Sequence, residues 1–153
     1  MDRSKFKHTT QIKVRNYEVD WQGIVHNTVY LLYFEVGRVE YLKHIGVKVD
    51  INTIQGESKV VLVRNEINYK SPARFDELLT IYTRISFIKN TSFAFEAFLE
   101  EDLTKRLIAE NMAIHVWLDS STGIATTVDE KFKALVRKFE GDTVAILNNL
   151  KYS

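Results

Sequence analysis

Residues 20–37 read D-W-Q-G-I-V-H-N-T-V-Y-L-L-Y-F-E-V-G. An acid stands three residues before a glycine, and a long apolar run starts almost at once. From about Thr28 to His44 the chain is apolar on nearly every side at first, and Glu35, Arg38, Glu40 and Lys43 then mark a polar side. A helix of that composition belongs in an interior rather than on a surface. Asn27 or Thr28 can cap its start and Gly46 can close its end. This reading sets Asp20 beside a helix N-terminus, where unpaired backbone N–H groups attract developing negative charge.

Working outward, residues 11–19 alternate, with Ile12 and Val14 on one side and Lys13, Arg15 and Tyr17 on the other, which predicts a strand. Four more strands are predicted after the helix, over 59–70, 77–89, 91–100 and 105–118. The third of the five carries Leu79, Ile81, Thr83, Ile85 and Phe87 on one face. Lys89-Asn90 and Asp102-Leu103-Thr104 suit hairpin turns. Ser71-Pro72-Ala73 breaks pairing between the strands that it separates. Residues 129–139 predict a second helix with Phe132, Leu135 and Val136 on its apolar stripe. The order points to an α+β fold: a long central helix wrapped by a curved antiparallel sheet of about five strands. Such a sheet has open edges, which invites pairing with a second copy. Nothing reads as a linker or a repeat, so a single domain over 1–153 is expected, with a core of about 9–139 and a tail over 140–153.

The chain has 21 basic and 20 acidic residues, so no general charge draws it to nucleic acid or to an acidic membrane. It has no cysteine. Disulfides, thiolate metal sites and cysteine nucleophiles are therefore excluded. The polar start M-D-R-S-K-F-K-H has no apolar signal core, and no apolar run reaches the length of a membrane span. A cytoplasmic protein without nucleic-acid or membrane partners is the expectation.

The residue types leave two readings of Asp20 open. It can cap a turn, a common aspartate task, or act as general base or nucleophile on a carbonyl. Gly23 can be a turn glycine and, with the stretch through Thr28, part of an oxyanion site; the two roles are compatible. His26 beside an acid can do acid–base work or make contacts. Asn27 can orient water or cap the helix. Glu35 is expected to pair with a neighbour such as Arg38 or to stand behind the groups that touch substrate. His8, His44 and His115 show no metal-ligand spacing, so no metal is expected. No G-x-S-x-G, G-x-x-x-x-G-K-[ST] or G-x-G-x-x-G motif is present.

Three stretches carry a family resemblance. R-N-Y-E-V-D-W-Q-G-I-V-H-N-T-V-Y-L-L-Y-F-E-V-G-R-V-E-Y-L (15–42) is similar to the pattern D-x-x-G-x-V-x-N-x-x-Y-x-x-Y-F-E-x-x-R-x-E. I-N-Y-K-S-P-A-R-F-D-E-L (67–78) resembles I-x-Y-x-x-P-A-x-x-x-D-x-L, with one residue fewer before the acid. I-A-E-N-M-A-I-H-V-W-L-D-S-S-T-G (108–123) resembles a last strand and turn. The pattern is that of the hotdog-fold, 4-hydroxybenzoyl-CoA thioesterase-like acyl-CoA thioesterases, over about residues 9–139. The resemblance implies that Asp20 is the catalytic carboxylate, with the N–H groups of Val25 and His26 or their neighbours as oxyanion donors. It further implies an acyl pocket touched by Trp21, Tyr30 and Tyr33, and CoA contacts from Lys70, Ser71, Arg74, Thr91 and Ser92. Trp21 stands where small or polar residues are common in that family and would select the acyl group. An acyl-CoA thioester is then the substrate, no cofactor is needed, and the chain is a homodimer or homotetramer.

Two rivals follow from the same fold. One is a non-catalytic acyl-CoA-binding module acting as a ligand sensor. The other is a hotdog dehydratase, for which His26 and Glu35 would be the only acid–base pair.

Overall fold

A computed structural model of the protein describes residues 1–49 and 58–147. In chain order the elements are β1 (His8–Lys13), α1 (Val29–Ile45), β2 (Ser58–Tyr69), β3 (Leu78–Ile88), β4 (Ser92–Glu101), β5 (Leu107–Asp119), α2 (Glu130–Glu140) and β6 (Ala145–Ile146). One six-stranded sheet has the order β1-β3-β4-β5-β2, and β6 pairs with β3. The four long strands and both helices lie within two residues of the ranges that the periodicity predicts. As the Ser71-Pro72-Ala73 break requires, β2 and β3 are not neighbours.

Two expectations are corrected. The first strand is not 11–19 but His8–Lys13, paired antiparallel with β3 from His8↔Thr83 to Lys13↔Leu78. The alternation after Lys13 ends in a 3-10 turn over Asn16–Glu18, because the Glu18 carboxylate accepts from the Arg15 N–H and closes the chain on itself. The second correction is a sixth strand. β6 runs parallel to β3, Phe87↔Ala145 and Ile88↔Ile146, so the start of the expected tail belongs to the sheet. Residues 148–153 lie outside the described residues.

The described residues group into two compact units. The strands β2 to β5 and helix α1 each contribute to both. The first unit comprises Met1–Tyr41, Glu66–Arg84 and Ala97–Asn111. Its core sets Tyr30, Tyr33 and Phe34 of α1 against Leu79 and Ile81 of β3, Ala97 and Leu99 of β4, and Ile108 and Ala109 of β5. Each large apolar side chain so buried contributes about 1.5–3 kcal/mol. The helix reaches β3 through Gly37: a Cβ there would stand 2.7 Å from Ile81 Cγ2 and 2.8 Å from Thr83 Oγ1. No larger residue fits without moving the strand away. The N-terminal arm joins this unit through Arg3, which pairs with the buried Glu100 carboxylate and lies over the rings of Tyr82 and Phe98.

The second unit comprises Leu42–Asn65, Ile85–Glu96 and the chain from Met112 onward. Here α1 ends as Gly46 N–H donates to the Lys43 carbonyl and Val47 N–H to that of Leu42. This pair of bonds satisfies two carbonyls at the end of the helix. The α2 helix is capped by Asp129, which accepts from Phe132 N–H at 3.2 Å. Phe132 and His115 both pack on the ring of Phe93, at centroid distances of 4.8 and 5.4 Å. At the far end of α2 the Glu140 carboxylate accepts from Ile85 N–H at 3.1 Å, tying the helix to β3.

Candidate active site

The chain between β1 and α1 builds the site from the inside outward. Glu18 is buried, and its Oε1 accepts from Arg15 N–H at 2.7 Å and from the Tyr33 hydroxyl at 2.9 Å. Burial and this bond to a carboxylate both push the Tyr33 hydroxyl well above the usual tyrosine range. Tyr33 sits in the core and lines neither of the clefts described below. The main-chain carbonyl of Glu18 accepts from His26 N–H at 3.0 Å. One buried acid thus anchors the segment at both of its ends. Glu18 was not among the residues that the sequence singled out, although its spacing from Arg15 is that of a capping pair.

Above it lies a tight turn. Asp20 N–H donates to the Ile24 carbonyl at 2.9 Å, and Gly23 N–H to the Asp20 carbonyl at 3.0 Å. Gly23 holds φ +75°, and a Cβ there would meet nothing within 4 Å. Asp20 Oδ1 accepts from Gln22 N–H at 2.8 Å and from Ile24 N–H at 3.2 Å. The side chain is exposed, and its Oδ2 accepts no hydrogen bond among the described residues. Asp20 therefore caps the turn with one oxygen and keeps the other open. It lines a cleft of about 300 Å³ together with Asn16, Val19, Trp21 and His26. Trp21 is fully exposed at the rim.

The amides that follow divide into two kinds. Val25 N–H donates to the Ala73 carbonyl at 2.9 Å, and His26 N–H to that of Glu18. These two or their neighbours were expected as oxyanion donors; both named amides are taken up by the fold, which leaves the neighbours. Among the described residues the N–H groups of Asn27 and Thr28 make no hydrogen bond. They are the orphan donors of the helix start. The helix itself begins with Val29 N–H on the His26 carbonyl at 3.0 Å.

A second cleft, of about 290 Å³, is lined by Ile24, Val25, Asn27, Tyr30, Tyr69, Lys70, Ser71 and Pro72. Tyr30 is buried beneath it, and its hydroxyl accepts from Ala73 N–H at 3.0 Å. Burial pushes the Tyr30 hydroxyl up, against the opposing pull of that amide. Tyr69 stands edge-on to Tyr30 at 5.5 Å, and its hydroxyl donates to the Asn27 carbonyl at 3.0 Å. The structure thereby brings Asp20, His26 and Asn27 onto one short segment with Tyr30, Lys70 and Ser71 close behind.

Other expected contacts are differently employed. Lys70 Nζ is 3.5 Å from a Glu110 carboxylate oxygen, and Ser71 Oγ donates to the Leu107 carbonyl at 2.7 Å. The Arg74 side chain is exposed and forms no ion pair among the described residues. Thr91 and Ser92 belong to the second unit, where Ser92 is buried at the start of β4. The expected Glu35–Arg38 ion pair is not formed. Arg38 is buried and donates to Asn111 Oδ1 at 3.4 Å, while Glu35 is exposed. Burial pulls the Arg38 guanidinium down, and Glu35 acts on it only through space. Among the described residues no three His, Asp or Glu groups converge as a metal site, and no helix is long and apolar enough to cross a membrane.

With this geometry in view, residues 14–136 match the family model described as "Thioesterase-like superfamily". The acyl-acyl carrier protein thioesterase ATL3 of Arabidopsis thaliana is 31% identical over 134 residues, 86% of this chain and 70% of that one. The acyl-CoA thioester hydrolase YbgC of Escherichia coli is 28% identical over 106 residues, 68% of this chain and 72% of that one. Among solved structures, a thioesterase from Thermus thermophilus complexed with coenzyme A and Zn superposes with a TM-score of 0.77 at 23% identity. That alignment covers 90% of this chain and 96% of the other, and it shows a shared fold.

Proposed function

The chain belongs to the thioesterase-like superfamily, with the hotdog fold and the thioester-hydrolase chemistry of that family, and from that premise we propose that it hydrolyses an acyl-CoA at Asp20. The observation that carries the reading is the open oxygen of Asp20 at a cleft, seven residues before the first of two unpaired helix-start amides. Water adds to the thioester carbonyl carbon as Asp20 takes its proton; in the nucleophilic variant the same oxygen attacks and water later frees it. The carbonyl oxygen becomes an oxyanion, and the Asn27 and Thr28 N–H groups are the donors suited to hold it. Losing one such donor costs roughly 3 kcal/mol in comparable enzymes. Collapse expels the CoA thiolate, which recovers the proton and leaves a free acid.

Within this proposal Gly23 shapes the turn, and His26 makes contacts at the cleft that it shares with Asp20. Trp21 and Tyr30 border the acyl group. Arg74, exposed and next to the turn, is the best placed of the expected cations for a CoA phosphate. The assembly is a homodimer or higher. Val60, Val61, Leu62 and Val63 are all exposed on β2, an edge strand, and Leu32 and Val36 are exposed on α1. An apolar edge of this kind is suited to pair with a second copy. A cysteine-free chain fits a reducing compartment, so we place it in the cytoplasm.

The test is thiol release from a panel of acyl-CoA esters graded by chain length and aromaticity. Turnover of at least one member is the expected result. Tight binding of acyl-CoA with no thiol released would favour the ligand-sensor reading instead.

A further inference from the structure

We propose that Tyr69 is a positioning residue that acts on the oxyanion amides through the Asn27 carbonyl, an inference that rests on the thioesterase reading above. Asn27 lies between two peptide groups, and each is fixed from a different direction. The His26–Asn27 peptide carries the Asn27 N–H, and its carbonyl is held by Val29 N–H at 3.0 Å, the first bond of the helix itself. The Asn27–Thr28 peptide carries the Thr28 N–H. Its carbonyl is held by the Tyr69 hydroxyl, 42 residues away in the chain, at 3.0 Å. A trans peptide is planar, so its C=O and N–H point in opposite directions. Fixing the Asn27 carbonyl toward Tyr69 therefore aims the Thr28 N–H away from it.

The same bond has an electronic effect. A donor on a peptide carbonyl draws electron density toward oxygen and makes the N–H of that peptide a stronger donor. Tyr69 is itself held for the task. Its ring rests edge-on against Tyr30, and Tyr30 is locked by Ala73 N–H on its hydroxyl. The Ala73 carbonyl in turn accepts from Val25 N–H at the other end of the same segment. The strand end at Tyr69 and the chain at Ala73 thus brace the stretch from Val25 to Thr28 at two points. The unpaired Asn27 N–H lies between the two braces, and the unpaired Thr28 N–H between the second brace and the helix.

A group that holds the oxyanion donors, and not the substrate, serves the transition state more than the ground state. The decisive variant is Tyr69→Phe, which removes one oxygen and keeps the ring on Tyr30. It should lower kcat about tenfold with KM within about twofold, since one hydrogen bond of ordinary strength is lost. In ¹⁵N-labelled protein the Thr28 amide nitrogen should move upfield while those of Val25 and His26 stay in place. A ring-fluorinated tyrosine at position 69, a stronger donor, should restore kcat to the wild-type level or above. A purely structural tyrosine would not respond to ring acidity. An unmoved Thr28 resonance, or an unchanged kcat in the Tyr69→Phe protein, would overturn the proposal. The thioesterase reading fails separately, on absence of thiol release by the wild type, and the Thr28 resonance still decides the positioning claim in that case.

Discussion

Two turns in this molecule are built almost alike. At Asp20 the backbone N–H donates to Ile24 and the carbonyl accepts from Gly23; at Asp119 the N–H donates to Ile124 and the carbonyl accepts from Gly123. Gly23 and Gly123 take φ values of +75° and +71°. The difference lies in the side chains. Asp119 Oδ1 accepts from the N–H and hydroxyl of Ser121 and from the N–H and hydroxyl of Thr122. The Ser121 hydroxyl, followed by these amides, holds the Asp119 carboxyl below the ordinary aspartate range. The residues after Asp20 are Trp21 and Gln22, which put no hydroxyl beside the carboxylate, and only two backbone amides reach it. The turn at Asp119 spends its acid on local order. The turn at Asp20 takes fewer bonds and leads, seven residues on, to a helix start with unpaired donors. Turn geometry alone does not make a reactive acid; the hydroxyls beside the carboxylate and the chain that follows the turn set the two apart.

The largest effect that can break this comparison is chemical. Asp20→Asn keeps an oxygen for Gln22 and Ile24 N–H and removes only the charge. It should lower kcat by about 10²–10⁴-fold in a thiol-release assay, with the melting temperature nearly unchanged. Asp119→Asn should leave kcat at the wild-type value. Equal rates for the two variants would erase the distinction.

Next comes the support beneath the first turn. Glu18→Ala takes the acceptor from the Arg15 N–H and from the buried Tyr33 hydroxyl and should cost about 3 kcal/mol in urea denaturation. Because both bonds fall on Oε1, Glu18→Gln can keep them and should cost under about 1 kcal/mol. Similar losses for Ala and Gln would show that the charge, and not the acceptor, matters.

A smaller effect separates geometry from chemistry. Gly23→Ala and Gly123→Ala place a Cβ in open space at nearly equal positive φ, so each should cost about 1–2 kcal/mol of backbone strain. Their stabilities should match within error, and only Gly23→Ala should reduce kcat. The smallest effect is acid sensitivity. A carboxyl whose folded pKa is depressed adds stability above its unfolded value and loses it as pH falls through the folded value. The melting-temperature gap between wild type and Asp119→Ala should therefore be full at neutral pH and shrink below about pH 4. A gap that does not change with pH would mean that the Ser121 and Thr122 contacts do not depend on charge.

The elements that the sequence discloses are those with internal periodicity. Strands β2 to β5 are long runs rich in β-branched and aromatic residues that alternate over part of their length, and α1 is apolar through its first turns, so both can be read from local pattern. The strand expected over 11–19 was displaced because one side chain, Glu18, folds back on Arg15, an event that alternation does not encode. β6 is two residues long and has no period to read. At the site, the motif locates Asp20 and Gly23, since their spacing defines the turn. Which amides stay free is another matter. Val25 loses its N–H to Ala73, and His26 loses its own to Glu18; both partners are known only once the chain is folded. Tyr69 is hidden for the same reason, being 42 residues from the carbonyl that it holds.

The most direct measurement is a titration of ¹³C,¹⁵N-labelled protein with a thioether analogue of an acyl-CoA, which binds but offers no bond to cleave. The side-chain carboxyl carbon of Asp20 and the amide nitrogens of Asn27 and Thr28 should shift together along one binding curve while the Asp119 carboxyl stays still. Saturation of the protein with those three resonances unmoved would contradict the account.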